Sequence, residues 1–150
     1  MTPLADRLPP ERFQDVARMV LETPTYEYIR GGAGEEITLA ENLAAFRRWR
    51  LVPRVLAGDM TAVDLTTSAL GTRLDVPVMV APMALHRIAD PDGELSTAKG
   101  VVAVGSAFVI AANASVAVEE VARAYPSANL WLQLYNWKDR DMLAGLIARG

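Results

Sequence analysis

Gln133 and Tyr135 are the residues whose type and spacing first point to chemistry. They close the run Leu130-Trp131-Leu132-Gln133-Leu134-Tyr135, and residues two apart on a strand share a face. Trp131, Gln133 and Tyr135 are therefore expected to project together, with Leu132 and Leu134 on the opposite side. An amide and a phenol placed side by side are costly to bury without partners. Either they hydrogen-bond within the protein or they meet a ligand. His86, the single histidine, is a further candidate, because an imidazole titrates near neutrality and can act as a general base. It follows Ala81-Pro82-Met83-Ala84 in a segment running toward Pro91, and reads as a loop residue.

These side chains need elements to hold them. The first fifty residues read as helical. A helix over Glu11 to Glu22 starts behind Pro9-Pro10, and Thr23-Pro24 restarts the chain into a short helix carrying Tyr26, Tyr28 and Ile29. Gly31-Gly32-Ala33-Gly34 terminates that helix, and a third runs from about Glu35 to Trp49. Residues 51–75 turn extended, with β-prone Val63-Asp64-Leu65-Thr66-Thr67 and a turn at Gly71-Thr72, which reads as a small flap. From residue 76 the pattern alternates. Strands are expected at Val76–Ala81, Ala107–Ala112 and Leu130–Tyr135, and helices at Gly93–Val104, Val116–Tyr125 and Asp139–Arg149. Short apolar strands joined by crossover helices make a parallel α/β sheet. Residues 1–150 then form one domain, in which a helical segment (1–50) and a β flap (51–75) precede three βα units (76–150).

Composition narrows the function classes. The chain has 150 residues, 51% hydrophobic and 22% charged, a globular profile able to bury a core. A net charge of −3 and the absence of a basic face argue against nucleic acid as a partner. There is no cysteine, which excludes disulfides and thiolate metal sites. Met1–Pro10 lacks a signal-peptide core, and no apolar run approaches a membrane span. The expectation is a soluble, cytoplasmic protein without a membrane partner.

The three strands end in Ala81-Pro82-Met83-Ala84, Ala111-Ala112-Asn113-Ala114-Ser115 and Gln133-Leu134-Tyr135-Asn136. Ligands of parallel α/β folds bind at such carboxyl ends. Small residues there let backbone N–H and C=O groups approach a flat, polar-edged ligand. They also simply make tight turns, and the residues alone leave both readings open.

A set of motifs adds to this. Tyr28-Ile29-Arg30-Gly31-Gly32-Ala33, Thr38-Leu39-Ala40-Glu41-Asn42, Pro53-Arg54-Val55-Leu56, Ala81-Pro82-Met83-Ala84, Pro91-Asp92-Gly93-Glu94, Val118-Glu119-Glu120-Val121 and Gln133-Leu134-Tyr135 occur in this order. In that order the chain resembles the N-terminal part of the FMN-dependent α-hydroxy-acid oxidases and dehydrogenases, the family of glycolate oxidase, lactate oxidase and mandelate dehydrogenase. The resemblance runs from about Phe13 to Gly150.

It implies the N-terminal part of a (β/α)8 barrel with FMN across its top and a small 2-hydroxy acid over the flavin. Tyr28 matches the tyrosine that binds the substrate carboxylate. The loop Ala81, Pro82, Met83, Ala84 matches the segment whose backbone bonds the flavin ring. Gln133 matches the glutamine on the flavin's pyrimidine edge, and Tyr135 the tyrosine near the substrate's reacting oxygen, which counts as both catalytic and substrate-binding. Ala111 stands where the family often has a serine that helps hold the flavin; it loses the side-chain contact but is still implied to bind the cofactor through its backbone. Asn113 stands where many relatives carry a bulky side chain. The family's histidine base comes from a later strand, so His86 is not it. No metal is implied. A complete barrel needs roughly 250 residues, and the chain is expected to stop inside a helix. The implied function is oxidation of a 2-hydroxy acid to a 2-oxo acid by a longer, commonly tetrameric enzyme, with these residues inactive alone. The alternative is a non-catalytic remnant or a subunit completed by another chain.

Overall fold

The computed structural model describes residues 9–55, 58 and 62–149, which fall into two compact units divided near residue 59. Parts of the expected N-terminal segment (1–8) and flap (56–57 and 59–61, including Leu56 of the Pro53–Leu56 motif), and Gly150, lie outside the described residues.

The first unit is helical, as its apolar spacing requires. Pro9 caps a 3-10 turn at Pro10–Arg12, which feeds helix α1 (Phe13–Val20). Helix α2 (Thr23–Arg30) carries Pro24 in its first turn, where no N–H is missed, and Gly31 closes it by donating to the Glu27 carbonyl at 2.9 Å. Tyr26 is buried, and its hydroxyl accepts from Gln14 Nε2 at 3.3 Å. Helix α3 (Ile37–Ala44) is shorter than the sequence predicts. It tightens into a 3-10 turn at Ala45–Arg48, and Trp49 leaves in an extended conformation.

The second unit begins with a hairpin of β1 (Thr67–Ala69) and β2 (Thr72–Leu74). Leu70 and Gly71 form its turn with φ of 46° and 83°, the sign of twist that tight hairpins favour. The expected strand over Val63–Thr67 is corrected. Asp64 accepts from the Thr66 N–H at 2.9 Å, a local turn that competes with ladder formation, so pairing starts only at Thr67.

Three parallel strands follow in the order β3 (Met79–Val80), β4 (Ala107–Ile110) and β5 (Asn129–Leu132). Their register pairs Val80 with Phe108 and Phe108 with Leu130. Helices α4 (Glu94–Ala103), α5 (Val118–Ala124) and α6 (Arg140–Ile147) complete the βα alternation. Phe108, Ile110, Ala98, Val101, Val116 and Val121 form the core, with Val80, Leu130 and Leu132 packed against it. Leu130 and Leu132 thus take the core side, as strand alternation predicts. Among the described residues the sheet is open, with β3 and β5 at its edges and no closed barrel.

All three strands are shorter than the sequence predicts, β4 ending at Ile110 rather than Ala112. Pro77 offers no ladder donor, and the Val78 N–H turns back to the Val76 carbonyl at 2.8 Å, which leaves β3 two residues. The last rung on β5 is the Gln133 N–H to the Ile110 carbonyl at 2.8 Å. Beyond Ile110 the neighbouring chain turns, with Ala114 N–H on the Ala111 carbonyl at 3.0 Å, so Leu134 and Tyr135 have no β4 partner.

Helix α6 is capped by Asp139, whose carboxylate accepts from the N–H groups of Asp141 and Met142. It ends at Ile147, so the expectation that it continues to Arg149 is corrected. Arg149 instead forks onto Glu119 of α5, with Nη2 3.0 Å from Oε2. Hydrogen bonding from Arg149 lowers the Glu119 pKa from 4.5 to about 2. A depressed carboxylate stabilises the fold above its ordinary pKa and loses that contribution as pH falls through its folded value. The α5–α6 clasp is therefore expected to weaken between pH 4.5 and about 2. Arg149→Ala should return the Glu119 carboxyl to an ordinary titration, read by carboxyl-carbon NMR; an unchanged midpoint would exclude the pairing.

Candidate functional site

Because β3, β4 and β5 lie side by side and parallel, their carboxyl ends bring three predicted segments to one edge. Ala81–Ala84 follows β3, Ala111–Ser115 follows β4, and Gln133–Asn136 follows β5. The first two are sewn together directly. The Leu85 N–H donates to the Asn113 carbonyl at 3.2 Å, and the Arg87 N–H to Ser115 Oγ at 3.1 Å.

Gln133 ties the second segment to the third. Its Oε1 accepts from the Ala112 N–H at 3.1 Å. Because a peptide N–H can only donate, this bond fixes which way round the amide sits. Among the described residues Nε2 donates to no protein acceptor. The choice between an internal partner and a ligand is thus divided between the two ends of one side chain. Ala111 is buried and its carbonyl is committed to the Ala114 turn.

Tyr135 lies past the end of β5 rather than on it, 51% exposed, with its ring tilted against Trp137 at 6.0 Å. Trp131, the third member of the predicted face, is held elsewhere: its indole N–H donates to Thr72 Oγ1 of the hairpin at 3.1 Å. Tyr28 belongs to the first unit, exposed on α2 two residues along from buried Tyr26.

His86 opens a 3-10 turn over His86–Ile88 and is 6% exposed. Its Nδ1 is 3.0 Å from Thr97 Oγ1, and its ring packs 5.7 Å from that of Phe108. Nε2 has no partner among the described residues. Sequence reasoning does not single out Glu94, the last residue of Pro91-Asp92-Gly93-Glu94. It is fully buried and accepts three backbone N–H bonds. The one sequence signal was an acid directly after a glycine at a helix start, which also describes an exposed charge on a helix dipole.

The available donors suit a flavin ring. Its pyrimidine edge presents carbonyl oxygens, which an amide Nε2 can meet, and its central ring presents acceptor nitrogens. The N–H groups of Met83 and Ala84 have no protein acceptor among the described residues. Ala81, Pro82 and Met83 are exposed, so a planar ring could approach the backbone without displacing bulky side chains. No trio of His, Cys, Asp or Glu side chains is arranged for a metal among the described residues. Nor is any helix there long and apolar enough to cross a membrane.

Comparison with known proteins gives the chain's relatives. The chain is 42% identical over 135 residues to human 2-hydroxyacid oxidase 1, covering 90% of this chain and 36% of that protein. It superimposes on a lactate oxidase of Pediococcus acidilactici with a TM-score of 0.88 at 33% identity, over 93% of this chain and 38% of that one. A mandelate oxidase variant holding a C4a-OH-FMN adduct gives a TM-score of 0.85 at 32% identity, over 91% of this chain and 40% of that one. The chain thus spans well under half the length of these relatives. The model of the FMN-dependent dehydrogenases matches residues 17–150, and the chain belongs to that family, whose cofactor is FMN.

Proposed function

We propose that this chain supplies the flavin-ring contacts and part of the substrate site of an enzyme that oxidises a 2-hydroxy acid to a 2-oxo acid. The observation that carries the reading is the set of uncommitted donors at three adjoining strand ends: Gln133 Nε2 and the N–H groups of Met83 and Ala84. FMN, when bound, accepts the two electrons that the hydroxy acid gives up. Ala81, Pro82, Met83 and Ala84 line the ring's edge through their backbone. Ala111 supports the loop beneath it, and Gln133 donates to a pyrimidine carbonyl. Tyr28 donates its phenolic proton to the substrate carboxylate without adding a charge. Tyr135 hydrogen-bonds the substrate oxygen at which charge develops. The sheet and its helices are read as the first three βα units of a (β/α)8 barrel. Both compact units are read as parts of one flavin domain in a cytoplasmic homotetramer.

Oxidation also needs a base for the hydroxyl proton, and His86 does not fill that role. It is buried, its Nδ1 sits on Thr97, and its other face meets Phe108. With no other histidine present, these 150 residues alone are expected to be inactive. Anaerobic mixing of the FMN-loaded complete enzyme with glycolate, L-lactate or mandelate should bleach flavin absorption near about 450 nm. A spectrum unmoved by every acid overturns the activity. The isolated chain should show no bleaching, and hydroxy-acid-dependent loss of colour there overturns its inactivity.

A further inference from the structure

We infer that Glu94 is a positioning residue, whose buried carboxylate sets the loop after β3 against the loop after β4 and so shapes the flavin edge. The inference rests on the reading that those loops hold the flavin. Glu94 is 0% exposed at the first position of α4. Its Oε1 accepts from the N–H of Ser115 at 2.9 Å and of His86 at 3.4 Å, and its Oε2 from the N–H of Val116 at 3.0 Å. Ser115 and Val116 directly follow Ala111–Ala114, and His86 lies two residues beyond Ala84. One carboxylate therefore grips both segments from behind.

The electrostatics fit a clamp rather than an ion pair. Among the described residues no cation bridges Glu94. Its charge is met by three peptide dipoles and by the N-terminus of its own helix. The backbone is shaped for it. Gly93 has φ of 56°, and a Cβ there would lie 2.9 Å from Arg87 Cγ, so the helix start is pressed against the loop it grips. The direct bonds Leu85–Asn113 and Arg87–Ser115 run beside the carboxylate and share its two loops.

Glu94→Gln keeps the shape but turns one acceptor into a donor facing a peptide N–H. The test is backbone hydrogen exchange of the full 150-residue chain without FMN and of the complete enzyme loaded with FMN. Val121→Ala, a core truncation at a residue that makes no hydrogen bond to the carboxylate, serves as control. Without FMN, E94Q should exchange about tenfold faster at His86, Ser115 and Val116 than wild type. Helix α4 beyond its first turn and strand β5 should stay unchanged. Faster exchange spread over helices and sheet, as expected of V121A, or none at those three amides, overturns the inference. If E94Q does not fold, Glu94→Asp, which retracts the carboxylate by one methylene, should show the same localised pattern at smaller amplitude; a wild-type pattern overturns it. In the FMN-loaded complete enzyme, protection at Met83 and Ala84 should be strong in wild type and weak in E94Q. Equal protection in both overturns the positioning role. No protection in wild type rejects the flavin reading instead, and leaves the loop coupling to the FMN-free data.

Discussion

Tyr135→Phe is expected to lower turnover of the complete enzyme by about 10²–10³-fold, with flavin content near that of wild type. The structure separates the two parts of this side chain. The ring packs against Trp137 at 6.0 Å, a contact phenylalanine retains. The hydroxyl sits on a residue 51% exposed, beyond the last rung of β5. Removing it costs the fold little. Over a substrate, the same hydroxyl would face an oxygen whose charge grows during oxidation, and a fixed donor acts most strongly there. Steady-state kcat with a 2-hydroxy acid, set beside flavin absorbance per chain, checks the result. Equal loss of turnover and flavin would make Tyr135 a structural residue.

Phe108→Ala is expected to destabilise the second unit by about 3–5 kcal/mol. Domains of ordinary size hold only about 5–15 kcal/mol in total, so much of the stability goes with this ring. Phe108 is 0% exposed and sits on the central strand, in register with Val80 on one side and Leu130 on the other. Few atoms could relax into the gap, since Ile110, Val101 and Val121 are themselves buried around it. The ring also walls in His86 at 5.7 Å, on the turn that joins the loop after β3 to α4. The urea midpoint should fall steeply with little change in slope. A loss below about 1 kcal/mol would mean the site collapses freely, contrary to close packing.

Much of the fold was legible because its signals are local. Apolar spacing in Phe13–Val20 and Thr23–Arg30, prolines at helix starts and Gly31 at a helix end act within a few residues. The βα alternation after residue 76 was legible for the same reason, and it placed the three strand ends together. Strand lengths were not. The β3 strand shrank to Met79–Val80 because Pro77 and Val78 leave the ladder, and β5 stopped at Leu132 because β4 turns away after Ile110. A strand's extent is a property of its neighbour as well as of itself.

The site divides in the same way. Residue types and order by themselves determined the family motifs, the alternation that sends Leu130 and Leu132 to the core, and the pairing of an amide with a phenol two residues later. Only the tertiary structure decided what those groups do. It committed Gln133 Oε1 to the Ala112 N–H, left Nε2 available, carried Tyr135 off the strand, drew Trp131 to the hairpin and buried Glu94 between two loops. Apart from the Glu94 bond to His86, those bonds join residues about twenty to sixty positions apart. Their partners are chosen by sheet register and loop closure, which sum over the whole unit and leave no mark in any short stretch of sequence.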